Sequence, residues 1–321
     1  MIEREALERH QVWFYLGGAG AGLLLGALVP GADAAAEPLV WPVIALLLFA
    51  TFTQIPARAL ASAVRDRRFL ATSLIANFIV MPPIVWALVS LTPDDDPALR
   101  LGLLLVLLVP CTDWFISFTQ LGGGDSARAT AAAPVLLVVQ LLVLPLYLSW
   151  FAGSTVTSIV TLNDLWPALL VIGVPLVVAS AIARPLDTTD RGRRSRERLG
   201  WWPVPLLAVV IALVATAHAG AAVEALALFP IVLTVAVGYL AVGLVVAVIT
   251  AYIARLPMRE GRTLVFSLGT RNSFLVLPFA LALPSGWEAA SIVIVMQSIV
   301  ELFAMILYIW LVPSKVLPER G

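Results

Sequence analysis

"VVQLLVLPLY", residues 138–147, returns 161 positions later as "IVELFAMILY", residues 299–308, and this recurrence decides how the chain is built. At the same offset, and with no gap between the two matches, "WPVIALL" (41–47) lies over "WPVPLLA" (202–208). Two matches in one register divide the chain into two copies of one unit, residues 1–161 and 162–321.

Composition says what solvent the unit is built for. With 61% hydrophobic residues, 12% charged residues and a mean hydropathy of +0.99, the chain has too little polar surface for a soluble globule. It reads as an all-α integral membrane protein. Apolar runs near the roughly 20 residues needed to cross the hydrocarbon predict ten transmembrane helices, at about 11–29, 38–56, 69–91, 100–121, 126–150, 163–183, 199–217, 226–252, 262–284 and 288–312.

The charges between these runs set the orientation. If the N-terminus is cytoplasmic, all but Arg100 and Arg271 of the 20 Lys and Arg residues fall on the cytoplasmic side, including Arg65, Arg67, Arg68 and the run "RGRRSRERL" at 191–199. The outer links carry acids instead, among them Asp94, Asp95 and Asp96. By the positive-inside rule both termini are cytoplasmic, as in a multi-pass protein of the plasma membrane. "MIEREALERH" carries charges of both signs and precedes a run long enough to remain as a span, so no cleavable signal peptide is expected.

Five helices per copy is an odd number, so the second copy inserts upside down. Inverted repeats of this kind characterise secondary transporters, whose sites lie near the midplane where discontinuous helices meet. The offset lays "VPCT" (109–112) over "TRNS" (270–273), which makes the polar interruptions of the fourth and ninth helices symmetry mates. Pro110 lacks an amide hydrogen, and Gly269 stands among small polar residues in "SLGTRNS", so both helices are expected to break there.

Asp113, Arg271 and Glu301 are the ionisable residues placed deep in the spans, each costing about 2.5–3.5 kcal/mol at a helix centre unless paired or hydrated. An Asp113–Arg271 or Glu301–Arg271 bridge is one way to meet that cost; a carboxylate left to titrate as a proton carrier is the other. Glu301 is the repeat mate of Gln140, and Gln297 precedes it by one helical turn on the same face.

"PCT" in the fourth helix and "GTRNS" in the ninth resemble the cysteine motif of arsenite permeases and the glycine, asparagine and serine pattern of bile acid:sodium symporters. The chain is thereby similar to the superfamily that joins the two, closest to the arsenite permease branch. That resemblance implies a panel of helices 1, 2, 6 and 7, a core of helices 3–5 and 8–10, and alternating access at the crossing of helices 4 and 9. Sodium-coupled members place a glutamate and a glutamine where this sequence has Ser267 and Arg271, which points to protons rather than sodium as coupling ion. Arsenite permeases carry a glutamate shortly after the asparagine, where this chain has Phe274, Leu275, Val276 and Leu277.

The expected function is proton-coupled efflux of arsenite or a related metalloid. Soft arsenic prefers a soft sulfur ligand, and one thiol releases what several would retain. Cys111, Thr112, Arg271, Asn272 and Ser273 are the candidate substrate groups, with Asp113, Glu301, Gln140 and Gln297 for proton coupling. The bland reading of Cys111 is a small buried hydrophobe. A small organic anion is the alternative substrate, with Arg271 as counter-charge.

The remaining motifs carry less. One cysteine excludes a disulfide framework, and two separated histidines, His10 and His218, offer no metal cluster. "GGGD" (122–125) matches the GxGD of intramembrane aspartyl proteases but has no intramembrane tyrosine–aspartate partner, so no enzyme is expected. Gly18, Gly22 and Gly26 form a small-residue face for close helix packing, within the chain or in a homo-oligomer. No cofactor and no nucleic acid is expected. Beyond the small-molecule substrate, membrane lipid is the expected partner, and the 191–198 link is a topology signal that could touch anionic lipid heads.

Overall fold

The computed structural model describes residues 10–55, 66–93, 96–151 and 162–318. The expectations for the N-terminal segment before His10, for Arg65, Asp94 and Asp95, and for the junction at residue 161 lie outside them. Among the described residues all regular structure is helical, apart from a single antiparallel β-bridge. Eight helical stretches are long and apolar enough to cross a membrane, so the chain is a multi-pass membrane protein.

One compact unit gathers α1 (Gln11–Leu28), α2 (Ala32–Phe52), α7 (Leu162–Thr188), α8 (Asp190–Leu199), α9 (Pro203–Ala217) and α10 (Ala219–Ala225). The glycine face of α1 is used inside this unit. A Cβ on Gly18, Gly22 or Gly26 would lie 2.6, 2.2 and 2.6 Å from the carbonyl oxygens of Ala208, Ala212 and Thr216 on α9. Only glycine lets the two backbones approach so closely. The Thr216 hydroxyl then donates to the Gly22 carbonyl at 3.1 Å. α2 starts at Ala32 rather than near 38, because Gly31 at φ +79 completes a short reversal and the Ala-rich "ADAAAE" propagates helix from there.

A second unit contains α3 (Arg67–Ser90), α4 (Pro97–Leu107), α5 (Trp114–Leu121), α6 (Ser126–Phe151), α11 (Phe229–Ile253) and α12 (Met258–Gly269). α13 (Ser273–Leu281) and α14 (Glu288–Leu311) follow, with a π-helical turn at Val312–Val316 after them; the division into units passes through both helices, leaving Ser273 and the part of α14 from Val300 onward with the second unit. α3 widens into a π-helical turn at Ala76–Val80, just before Pro82 and Pro83, whose missing N–H groups disturb the ladder there. α4 is started by Asp96, whose Oδ1 accepts the Leu99 N–H at 2.9 Å, and by Pro97 in the first turn.

The fourth and ninth runs are not continuous helices. α4 stops at Leu107 and α5 starts at Trp114; α12 stops at Gly269 and α13 starts at Ser273. The link at 191–199, read from sequence as a loop, is α8, capped by the Thr189 hydroxyl accepting the Gly192 N–H at 2.9 Å.

Candidate functional site at the crossing of two broken helices

Backbone exposed by a helix break must find partners inside a membrane. Here the two breaks satisfy each other. Pro110 faces Arg271 in the antiparallel bridge, with the Cys111 N–H donating to the Thr270 carbonyl at 3.1 Å and the Asn272 N–H donating to the Val109 carbonyl at 2.9 Å. Those bonds flank the 110/271 pair, so the pair itself exchanges none, and the main-chain nitrogen of each member faces away from the other. Proline is therefore tolerated at 110, where no donor is needed. The outward N–H of Arg271 goes to Glu301, whose two carboxylate oxygens both accept it at 3.0 Å.

Side chains of extended segments alternate between faces. Arg271 therefore leaves the crossing on the side opposite to Thr270 and Asn272. Its guanidinium, with no exposed surface, is held by four carbonyl oxygens: Leu107 at 3.4 Å, Ser267 at 3.1 Å, Leu268 at 2.9 Å and the side-chain amide of Asn77 at 3.1 Å. Leu107 is the last residue of α4, and Ser267 and Leu268 lie in the last turn of α12. The cation thus sits at the negative ends of two helix dipoles. The Tyr239 ring stacks against it with the guanidinium carbon 5.1 Å from its centroid, and the Tyr239 hydroxyl donates to Leu268 at 2.8 Å. Glu301 meets Arg271 by hydrogen bonds through the main-chain N–H, and the guanidinium goes to the carbonyl cage.

Cys111 is not among the groups that hold the guanidinium. Its thiol is completely buried and donates to Asp113 Oδ1 at 3.1 Å. Asp113 precedes the first turn of α5 and is half-buried. Thr112 and Asn272 tie the two breaks by side chains, the Asn272 amide donating to the Thr112 hydroxyl at 3.1 Å. Ser273 is buried and its hydroxyl has no protein partner; the same holds for Arg271 Nε and for both amide atoms of Gln140 on α6. Buried polar atoms left open in this way are places for a ligand or water. Gln297, one turn before Glu301 on α14, is also buried.

Sequence reasoning did not single out Asn77 or Tyr239. Asn77 bridges the crossing to α3, its amide nitrogen donating to the Ser73 carbonyl at 3.0 Å and to the Ser267 hydroxyl at 3.1 Å while its oxygen accepts from Arg271. A lone asparagine in "LIANFIVMPP" was the available signal, since a buried amide in a span needs partners.

The GGGD turn has a structural use. A Cβ on Gly122 would strike the Phe266 ring at 2.2 Å, and Gly123 adopts φ +67. Arg262 donates to the Gly123 carbonyl at 3.1 Å. Asp125 accepts the Arg128 N–H at 3.1 Å and pairs with the Arg128 guanidinium, which also binds Asp66 and reaches Glu260 at 3.2 Å. The Arg128 bond holds the Asp66 carboxyl below its usual pKa, whereas burial pushes Glu260 up.

The model of the Sodium Bile acid symporter family matches residues 41–225, more than half of the chain. That span contains Cys111, Thr112 and Asp113. The arsenical-resistance protein Acr3 of Corynebacterium glutamicum is 28% identical over 145 residues, which are 41% of this chain and 38% of that protein. The chain thus matches little more than a third of this relative's length. With more than half of its length matched by the family's model, the chain belongs to the sodium bile acid symporter family.

Proposed function

We propose that this protein is a secondary transporter that carries arsenite or a related metalloid out of the cell by alternating access, coupled to protons. The observation that carries the reading is the Cys111 thiol bonded to Asp113 at the crossing. The arsenical-resistance relative supports it.

Arsenite at neutral pH is a small, largely uncharged polyol with a soft central atom. As sulfur bonds to arsenic, one arsenic–oxygen bond breaks. The thiol proton passes to Asp113 and then to the leaving hydroxyl, which departs as water. Thr112, Asn272 and Ser273 offer hydrogen bonds to the remaining hydroxyls. One sulfur ligand keeps the adduct labile, and the reverse step releases substrate. Cys111 has no exposed surface, so substrate reaches it only after the surrounding helices move.

In the proton-coupling role Asp113 is favoured over Glu301, whose two oxygens are occupied by the Arg271 N–H. Gln140, buried with both amide atoms open, offers a place for a water that could serve proton movement. A guanidinium fixed among carbonyl oxygens disfavours a sodium ion beside it. Ten spans in two inverted repeats, termini in the cytoplasm of a plasma-membrane protein, and a panel moving against a core complete the reading. The gathering of α1, α2, α7 and α9 in one unit supports the panel.

The open Nε of Arg271 and the family's name favour a second reading, a small organic anion bound by Arg271. It requires the guanidinium to turn from its carbonyl cage. Expression in a pump-deleted strain tests both: the wild type restores growth on arsenite under the first reading and fails to do so under the second.

A further inference from the structure

α8 is a ten-residue cationic helix at a place where three spans end. Its inner face lies on the last turn of α7, since a Cβ on Gly192 would meet the Pro185 carbonyl oxygen at 2.1 Å and the Leu186 Cα at 2.8 Å. The Arg196 guanidinium pairs with Asp187 and donates through Nε to the Thr53 carbonyl at 2.8 Å, just past the end of α2. Gln54 returns a bond to the Arg196 carbonyl at 3.3 Å. Three residues separate α8 from the start of α9. The ends of α2 and α7 and the start of α9 mark one membrane boundary, and α8 is pinned to it through Arg196 and Gly192.

This anchoring fixes which arginines face outward. At about 100° per residue, Arg191, Arg194 and Arg198 fall within a roughly 60° arc and span about 10 Å along the axis. All three are exposed. Arg193 lies outside this arc, paired with Asp190, and Glu197 also lies outside it. Trp202, 55% exposed, follows at the head of α9, the residue type that seats spans at the headgroup level. A positive-inside signal requires arginines in the link but no particular face; here three of them form one flank of a folded, fixed helix.

We propose that the Arg191–Arg194–Arg198 flank of α8 is a docking surface for the phosphates of anionic phospholipid. Planar guanidinium groups grip phosphate oxygens bidentately, and the place of α8 at the boundary brings headgroups rather than soluble anions against them.

The test uses the full chain in nanodiscs of phosphatidylcholine with and without 30% phosphatidylglycerol, reading the phosphatidylglycerol retained per protein by native mass spectrometry. The wild type retains it selectively, and Arg191→Gln/Arg194→Gln/Arg198→Gln loses about a hundredfold in that preference, at roughly fivefold per arginine. Arg194→Gln alone loses about fivefold, which keeps the test decisive if the triple variant is not recovered folded. The Lys triple variant, which keeps the charge but not the bidentate grip, retains part of the preference, and 0.5 M salt removes it. A wild type without preference, a Gln triple variant that keeps it, or displacement of the lipid by 10 mM inorganic phosphate overturns the proposal.

Discussion

Replacing Arg271 by glutamine separates a structural cation from a substrate counter-charge. The shorter, neutral side chain leaves three groups without the donor they have now: the Leu107 carbonyl at the end of α4, the Ser267 carbonyl, and the Asn77 amide oxygen. Leu268 keeps the Tyr239 hydroxyl. In an unbroken helix Ser267 would accept the Arg271 N–H, but that group is committed to Glu301. Each buried carbonyl left open costs about 1–3 kcal/mol. Removing the guanidinium also removes a desolvation cost of several kcal/mol, so the three open carbonyls leave a net loss of about 1–3 kcal/mol. At roughly 2 °C per kcal/mol, the substrate-free protein in detergent unfolds about 2–6 °C lower by a tryptophan-fluorescence melt. A group held ready for an anionic substrate behaves in the opposite way, since removing an unpaired site charge leaves the empty protein as stable or more so. A variant that melts at or above the wild type therefore refutes the cage.

Gly22→Val drives a side chain into the Ala212 carbonyl, 2.2 Å from the first added carbon, and lowers stability by about 1–3 kcal/mol or more, read as reduced folded yield in size-exclusion chromatography. Asp66 has its pKa lowered chiefly by the Arg128 hydrogen bond, so its contribution is fully present above the ordinary carboxylate value of about 3.9 and is lost as pH falls through the lowered folded value. Asp66→Asn flattens that acid limb of a pH–stability curve; an unchanged limb contradicts the pairing. Asp113→Asn abolishes pH-gradient-driven uptake into inverted vesicles, and Glu301→Gln weakens it through the Arg271 N–H. Full activity of both variants removes the proton-coupling argument.

The crossing was legible in the sequence because its signals are local. A proline at 110 and the run "SLGTRNS" interrupt helices whatever surrounds them, and the repeat offset brought the two together. The carbonyl cage was not legible, because main-chain oxygens carry no sequence signature. Arg271 therefore read as a cation for a carboxylate or an anionic substrate, whereas carbonyl oxygens at two helix ends and the Asn77 amide hold its guanidinium. Asn77 needed the π-turn before Pro82 to become visible. Gly18, Gly22 and Gly26 announced close packing but not that α9 would be the neighbour. The arginine-rich link read as a loop because its charges masked a Thr189 cap and a helix held by Arg196.

If Cys111 binds the transported metalloid, arsenite movement depends on its sulfur. Proteoliposomes carrying wild type or Cys111→Ser, energised by an inward-directed or reversed pH gradient and assayed for arsenite by mass spectrometry, test it directly. Gradient-dependent arsenite movement by the wild type, lost in Cys111→Ser with the folded fraction unchanged, is the predicted result. Arsenite transport that persists in the serine variant contradicts the account.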